Sequence, residues 1–267
     1  MKEESIKKLV RILAQEVSAT AKKVGPDFEK ERIHEFRVAV KSLRAMSRLL
    51  VSISDEYRYK LSKELKEIYH ISGMIRDVQL EQEKMSQLDL SVPGYLKHLE
   101  REISAHKKKW KDCFPGKIFN KLESASSDTE HITCTPEITD KFRYSKLASI
   151  ALISKTNAVT DDDLHNIRKQ LKDLFYVLKI IPGHLKSLSQ DAMPEELKEL
   201  KEITDLIGAY NDDRIFLEHI CSYTEKSGEP CHRKLKEFAA DMAMQLKDRK
   251  GAICEQVNRY ISPELLS

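Results

Sequence analysis

Apolar residues recur along the chain at the three-to-four-residue spacing of an amphipathic helix, and strand-like alternation is hard to find anywhere. Ile6, Leu9, Val10, Leu13 and Val17 open a first helix that reaches about Val24, where Gly25-Pro26 stops it. A second helix is expected from about Asp27 to about Val51, with Ile33, Phe36, Val40, Leu43, Met46 and Leu50 on its apolar face. After Ser54-Asp55, the pattern Leu61, Leu65, Ile68, Ile71, Ile75, Val78 predicts a third helix to about Leu88. Pro93 suits the first turn of a fourth, where its missing N–H costs nothing; that helix runs to about Phe114, before Pro115-Gly116.

The same order then returns. Ser124 to Asp140 is rich in Ser, Thr and Asp and contains Pro136, so it reads as a linker. Beyond it, helices are expected from about Lys141 to Thr156, after Thr160, after Pro194, and from about His232 to Ile261. Thr160 with Asp163 three residues on has the form of a capping box, and Asp161, Asp162 and Asp163 complement the positive end of the helix dipole. The expected architecture is all-α: two four-helix bundles from an internal duplication, residues 1–123 and 140–267 about a linker at 124–139.

The repetition extends to chemistry. His34, Arg37, Lys41, Arg44 and Arg48 stand at offsets of 3, 7, 10 and 14 from the histidine. At roughly 100° per residue these fall within a sector of about 80°, making one cationic stripe beside the apolar face. His165, Arg168, Lys172 and Lys179 repeat it. Each stripe is followed some forty residues later by glycine and aspartate: Gly73, Arg76, Asp77 in the first half and Gly208, Asn211, Asp212 in the second. Gly73 costs helix stability, which points to a place where another helix backbone comes close. Asp77 and Asp212 are expected to pair with a guanidinium or imidazole of the stripe and fix its rotamer.

Composition narrows the reading. The 267 residues include 46 Lys and Arg against 43 Asp and Glu, a net charge of only +3, so any anion site depends on where the cations sit. The five cysteines form no Cys-x-x-Cys pair, which argues for free thiols rather than a disulfide framework or zinc knuckle. No apolar h-region opens the chain and no run near twenty apolar residues follows, so a soluble cytoplasmic protein without membrane association is expected. Neighbours of His34 and His165 on their own faces are cationic, which disfavours a metal and favours donation to phosphate, with protonation coupled to anion binding. Like charges crowded at one face, with only Glu35 and Asp173 interrupting, call for an anionic ligand.

The blocks His34-Glu-Phe-Arg37-Val-Ala-Val-Lys41-Ser-Leu-Arg44 and Gly73-Met-Ile-Arg76-Asp77, with His165-Asn-Ile-Arg168-Lys-Gln-Leu-Lys172 and Gly208-Ala-Tyr-Asn211-Asp212, resemble the CHAD domain, the conserved-histidine α-helical domain. The resemblance covers nearly the whole chain. It implies two four-helix bundles related by a pseudo-twofold axis about a central basic groove, and binding of inorganic polyphosphate, with polyphosphate granules or fusion to a triphosphate-hydrolysing domain as a setting for some members. That no catalysis is expected rests on the motif residues themselves, cations and imidazoles without a carboxylate set to hold a metal or position water. The sequence departs from the pattern at Phe175, where the second motif often carries another base. Arg48 and Lys179 extend the stripes by a turn, and Lys107, Lys108 and Lys109 are further candidates. No cofactor is implied. The rival readings are a nucleic-acid binder, disfavoured by the lack of aromatics interleaved with the bases, and a phosphohydrolase, for which no carboxylate cluster or P-loop is present.

Overall fold

In the computed structural model, residues 6–53, 61–88, 92–113, 135–155, 158–181, 195–226 and 232–261 are described, and all their regular structure is helical. The helices are α1 (Ile6–Val24), α2 (Lys30–Ile53), α3 (Lys63–Gln87), α4 (Pro93–Cys113), α5 (Pro136–Ser154), α6 (Asp161–Ile180), α7 (Glu195–Lys226) and α8 (His232–Tyr260). Every apolar position singled out on α2 and α3 is buried. No helix among the described residues is long and apolar enough to cross a membrane. Cys113, Cys221 and Cys254 are free thiols; Cys134, Cys231, Pro194 and most of the expected linker lie outside the described residues.

Two boundaries differ from expectation, each for a local reason. Helix α2 begins at Lys30 rather than Asp27 because Phe28 takes a left-handed backbone with φ 57°. A non-glycine residue there costs roughly 1 kcal/mol or more. The turn offsets it by burying the Phe28 ring edge-on to Trp110, 6.3 Å between centroids. Helix α5 begins at Pro136, inside the stretch read as linker, because proline is at home in a first turn. The Thr160 boundary matches the sequence: Thr160 Oγ1 accepts from the Asp163 N–H at 3.1 Å, and Asp163 Oδ2 accepts from the Thr160 N–H at 2.9 Å.

Contacts follow the same order in each half: α1 on α2, α2 on α3 and α3 on α4; then α5 on α6, α6 on α7 and α7 on α8. Between halves, α2 lies along α6 and α3 touches α7. The apolar cores do not respect the division into halves. The larger runs from Val40, Leu43 and Met46 of α2 to Leu171, Leu174 and Leu178 of α6 and takes in α1, α5 and the amino-terminal parts of α3 and α7. The smaller joins Val78 and Met85 of α3, Tyr95 and Leu99 of α4, Phe216 and Ile220 of α7, and Leu235 of α8. Helices of about 20 residues shed their apolar stripes wherever a partner lies closest, and along α2 and α6 that partner belongs to the other half.

One polar contact reinforces this seam. Asp173 of α6, only 8% exposed, accepts from Arg48 Nη1 of α2 at 2.6 Å and from Lys146 Nζ of α5 at 3.0 Å. Replacing Asp173 by Ala leaves two cations facing each other across three helices and should cost about 2 kcal/mol, below the usual figure for a buried pair because Arg48 is partly exposed. Urea unfolding followed by the fluorescence of Trp110, the chain's single tryptophan, measures the loss; an unchanged midpoint would remove Asp173 from the seam.

Candidate functional site

Two mid-helix glycines stand beside the stripe arginines. Arg37 of α2 reaches across to α3, where its Nη1 donates to the Tyr69 carbonyl at 3.0 Å and to Ser72 Oγ at 3.3 Å. A Cβ added at Gly73 would stand 2.7 Å from the same nitrogen. In the other half a Cβ at Gly208 would stand 3.2 Å from Nη2 and 3.4 Å from Nε of Arg168. Gly73 therefore admits a guanidinium rather than the helix backbone that its cost to helix stability predicts, and Gly208 does the same. Tyr69 completes the first cradle, with the Arg37 guanidinium carbon 4.7 Å and that of Arg44 5.4 Å from its ring centroid.

Because α2 packs along α6, the two stripes come together. Lys41 shows how closely. Burial first, then the charges of Arg37, Arg168 and Lys172, push its ammonium down to about 7 against the pull of Asp212. Residues from both halves thus act on one side chain. Lys172 is also lowered, by burial, against the opposing pull of Asp205, which accepts from its Nζ at 3.1 Å. Among the described residues Arg37, Lys41 and Arg168 have no carboxylate at ion-pair distance, and the Arg168 Nε and Arg76 Nη1 donors are buried without an acceptor.

His34 and His165 flank this cluster, and both are held below the usual imidazole range. Desolvation leads in each case. For His34 the charges of Arg76, Lys41 and Arg37 add to it against Glu31; for His165, Lys169, Arg168 and Arg214 add to it against Asp162. Both rings are therefore predominantly neutral at pH 7, and an anion placed beside them would draw in protons.

Asp77 and Asp212 line one small cavity with Leu80, Glu81, Lys84, Ile215 and Phe216. Burial raises both carboxyls, and the charges of Arg37 on Asp77 and of Arg168 on Asp212 are the largest opposing effects. Neither aspartate forms a direct ion pair among the described residues, which corrects the expectation that they lock the arginine rotamers; the Tyr69 carbonyl and Ser72 hold Arg37 instead. Asn211 accepts from Arg214 at 3.5 Å. Arg48 is tied to Asp173 in the seam, Lys179 is exposed at the end of α6, and Lys107 on α4 lies over the Phe28 ring. Phe175, in the place of a further base, is buried with Lys172 Nζ 5.5 Å from its ring centroid.

Tyr69, Ser72, Tyr176 and Asp205 escaped the sequence reading. Burial and the neighbouring Tyr69 push the Tyr176 hydroxyl up to about 12. A local signal existed for three of them: Tyr69 and Ser72 stand four and one residues before Gly73, and Asp205 three before Gly208, on helical faces adjoining the glycine. Among the described residues no three His, Cys, Asp or Glu side chains stand together as a metal-holding group.

The CHAD domain family model matches residues 8–221. Among solved structures, PptA from Streptomyces chartreusis superposes with a TM-score of 0.67 at 12% identity, over 94% of this chain and 97% of that one, a likeness of fold. No curated protein matches the sequence.

The position of Lys41 fixes a sign. Its pKa in the folded protein, about 7, lies below the ordinary 10.5, so the unfolded chain holds the extra proton between the two values. The cost of the buried charge is fully present below pH 7 and fades as the pH rises from 7 towards 10.5. Lys41→Met should raise the melting temperature of the ligand-free protein at pH 6.5, where the cost is on the order of a few kcal/mol, and this gain should shrink by pH 9. A variant less stable than the parent at pH 6.5 would show Lys41 to be compensated.

Proposed function

Because the chain belongs to the CHAD domain family, we propose that it binds inorganic polyphosphate in the groove between α2 and α6 and leaves that polymer chemically unchanged. The observation that carries this reading is geometric: Arg37, Lys41 and Arg168 are brought together from both halves with no carboxylate at ion-pair distance among the described residues, and the buried Arg168 Nε and Arg76 Nη1 donors have no acceptor, a cluster that an anion would compensate. A chain carrying negative oxygens on every unit can serve Arg37, Lys41 and Arg168 at once and give the neutral His34 and His165 a reason to protonate. Arg44, Arg76, Lys172 and Lys179 extend the path, and Arg48 serves the seam.

The same reading treats residues 1–123 and 140–267 as repeats about a pseudo-twofold axis, supported by the matching order of helix contacts and by the pairing of Arg37 with Gly73 and Arg168 with Gly208. The absence of catalysis rests on the groove's chemistry, cations and imidazoles without paired carboxylates positioned to activate water. A nucleic acid would need faces on which to stack bases. The groove does hold Tyr69 and Tyr176, contrary to the expectation of no interleaved aromatics, but two guanidinium groups lie over Tyr69 and Tyr176 is buried. A cytoplasmic setting, with polyphosphate granules as one location, belongs to this proposal.

Arg37→Glu with Lys41→Glu should weaken binding of long-chain polyphosphate by at least a hundredfold in calorimetry, and Arg168→Glu with Lys172→Glu should do the same, at on the order of 1 kcal/mol or more per lost contact plus repulsion. Loss of affinity from either pair marks one shared site, and halved stoichiometry with affinity intact marks two independent ones. Parent-like binding by both variants, tighter binding of single-stranded DNA than of polyphosphate, or release of orthophosphate lost on mutating His34 or His165 would each overturn the proposal.

A further inference from the structure

The two halves of the groove are unequally charged. Aligning Gly73 with Gly208 sets Arg76 against Asn211 and His70 against Asp205, and aligning His34 with His165 sets Arg44 against Phe175. At all three places the carboxy-terminal half is the less cationic. Asp205 differs in kind, since it introduces a carboxylate where the amino-terminal half has an imidazole.

Asp205 stands in the stripe's path in a particular way. Its carboxylate accepts from Lys172 Nζ at 3.1 Å and from Lys201 Nζ at 2.9 Å. The Asp205 side chain is 51% exposed and Lys201 53%, whereas Lys172 is 16% exposed. A groove cation is thus occupied by a surface acid that keeps a second partner, one turn away on its own helix, outside the groove. Letting go of Lys172 does not leave Asp205 alone, because Lys201 remains. Burial opposes its ionisation, yet the two lysines together hold it below the ordinary carboxylate range, so it is a full negative charge at neutral pH.

We propose that Asp205 is a specificity-determining residue, an internal competitor that occupies Lys172 until a densely charged polyanion displaces it. This rests on the polyphosphate reading and refines it. Ion pairs with a solvent-exposed partner are individually weak, so a long phosphate chain already anchored on Arg37, Lys41 and Arg168 displaces Asp205 at little cost. A short anion, or a polymer with its charges farther apart, has no such surplus and meets a groove with one fewer free cation. The selectivity for long chains is then set in part on α7, and the anchoring strength on α2.

The test is Asp205→Asn, which keeps the side-chain shape and removes the charge, with helical circular dichroism as the check on folding. Affinities for long-chain polyphosphate, tripolyphosphate and oligothymidylate are measured by calorimetry in the parent, in Asp205→Asn, in Lys172→Ala and in the double variant. Asp205→Asn should bind tripolyphosphate and the oligonucleotide about fivefold more tightly and long-chain polyphosphate about twofold more tightly, which narrows the selectivity ratio. In the Lys172→Ala background the same change should have no effect. Unchanged affinities, an equal gain for all three ligands, or a gain that persists without Lys172 would overturn the role of Asp205 while leaving the polyphosphate reading standing. Failure of the parent itself to bind long-chain polyphosphate would overturn both.

Discussion

Packing α2 along α6 is the constraint from which the rest follows. Each helix has an apolar face and, beside it, a cationic one, and when the apolar faces meet at Leu43, Met46, Leu171 and Leu174 the cationic faces are carried to a common line. Hydrophobic burial on this seam is worth roughly 25 cal/mol per Å² of apolar surface, and it holds together charges that would otherwise separate. Arg37, Lys41, Arg168 and Lys172 are neighbours because leucines are. The cation cluster is therefore a strained arrangement in the electrostatic sense, with the energy supplied by the packing of the fold.

That view also accounts for the glycines. In an ordinary helix Gly73 and Gly208 would each cost up to about 1 kcal/mol against alanine. Here they let guanidinium groups lie flat against α3 and α7, as close as 2.7 Å to where a methyl group would sit. The Tyr69 carbonyl and Ser72 then fix Arg37 without a carboxylate. Holding a cation by neutral acceptors keeps its charge uncompensated and available, which a salt bridge would not. Where carboxylates do meet the stripes, as at Asp173 on Arg48 and at Asp205 on Lys172, the cation is compensated in part or whole.

How far the sequence was legible follows from the range over which each determinant acts. Helix faces and the Thr160 capping box depend on residues within two turns of one another, and they stand where periodicity and capping rules place them. The α2 start was misplaced because the left-handed Phe28 is stabilised by Trp110, more than eighty residues away, and no local rule contains that contact. Stripe membership was legible for Arg37, Lys41, Arg168 and Lys172. It was not legible that Arg48 is spent on Asp173, because each belongs to a different helix and only the seam joins them. Asp205 is illegible for the same reason: it reaches Lys172 from the neighbouring helix and not from along the stripe. The family resemblance identified the motifs, while the partners of individual side chains needed the fold.

A core shared across the seam also dictates a schedule. Val40 and Leu43 of α2 share a core with Leu171 and Leu174 of α6, some 130 residues further along the chain. A ribosome adding about 5–20 residues per second leaves the apolar face of α2 without its cover for many seconds after it emerges. During that interval the amino-terminal half presents a sticky stripe flanked by arginines, an invitation to chaperones, to anionic polymers, or to the same half of a second nascent chain. Contacts of such long sequence separation also slow the final closure. The arrangement that concentrates charge along the seam thus makes the unfinished chain dependent on its own second half, and a truncated product would behave as an aggregation-prone fragment rather than as half of the fold.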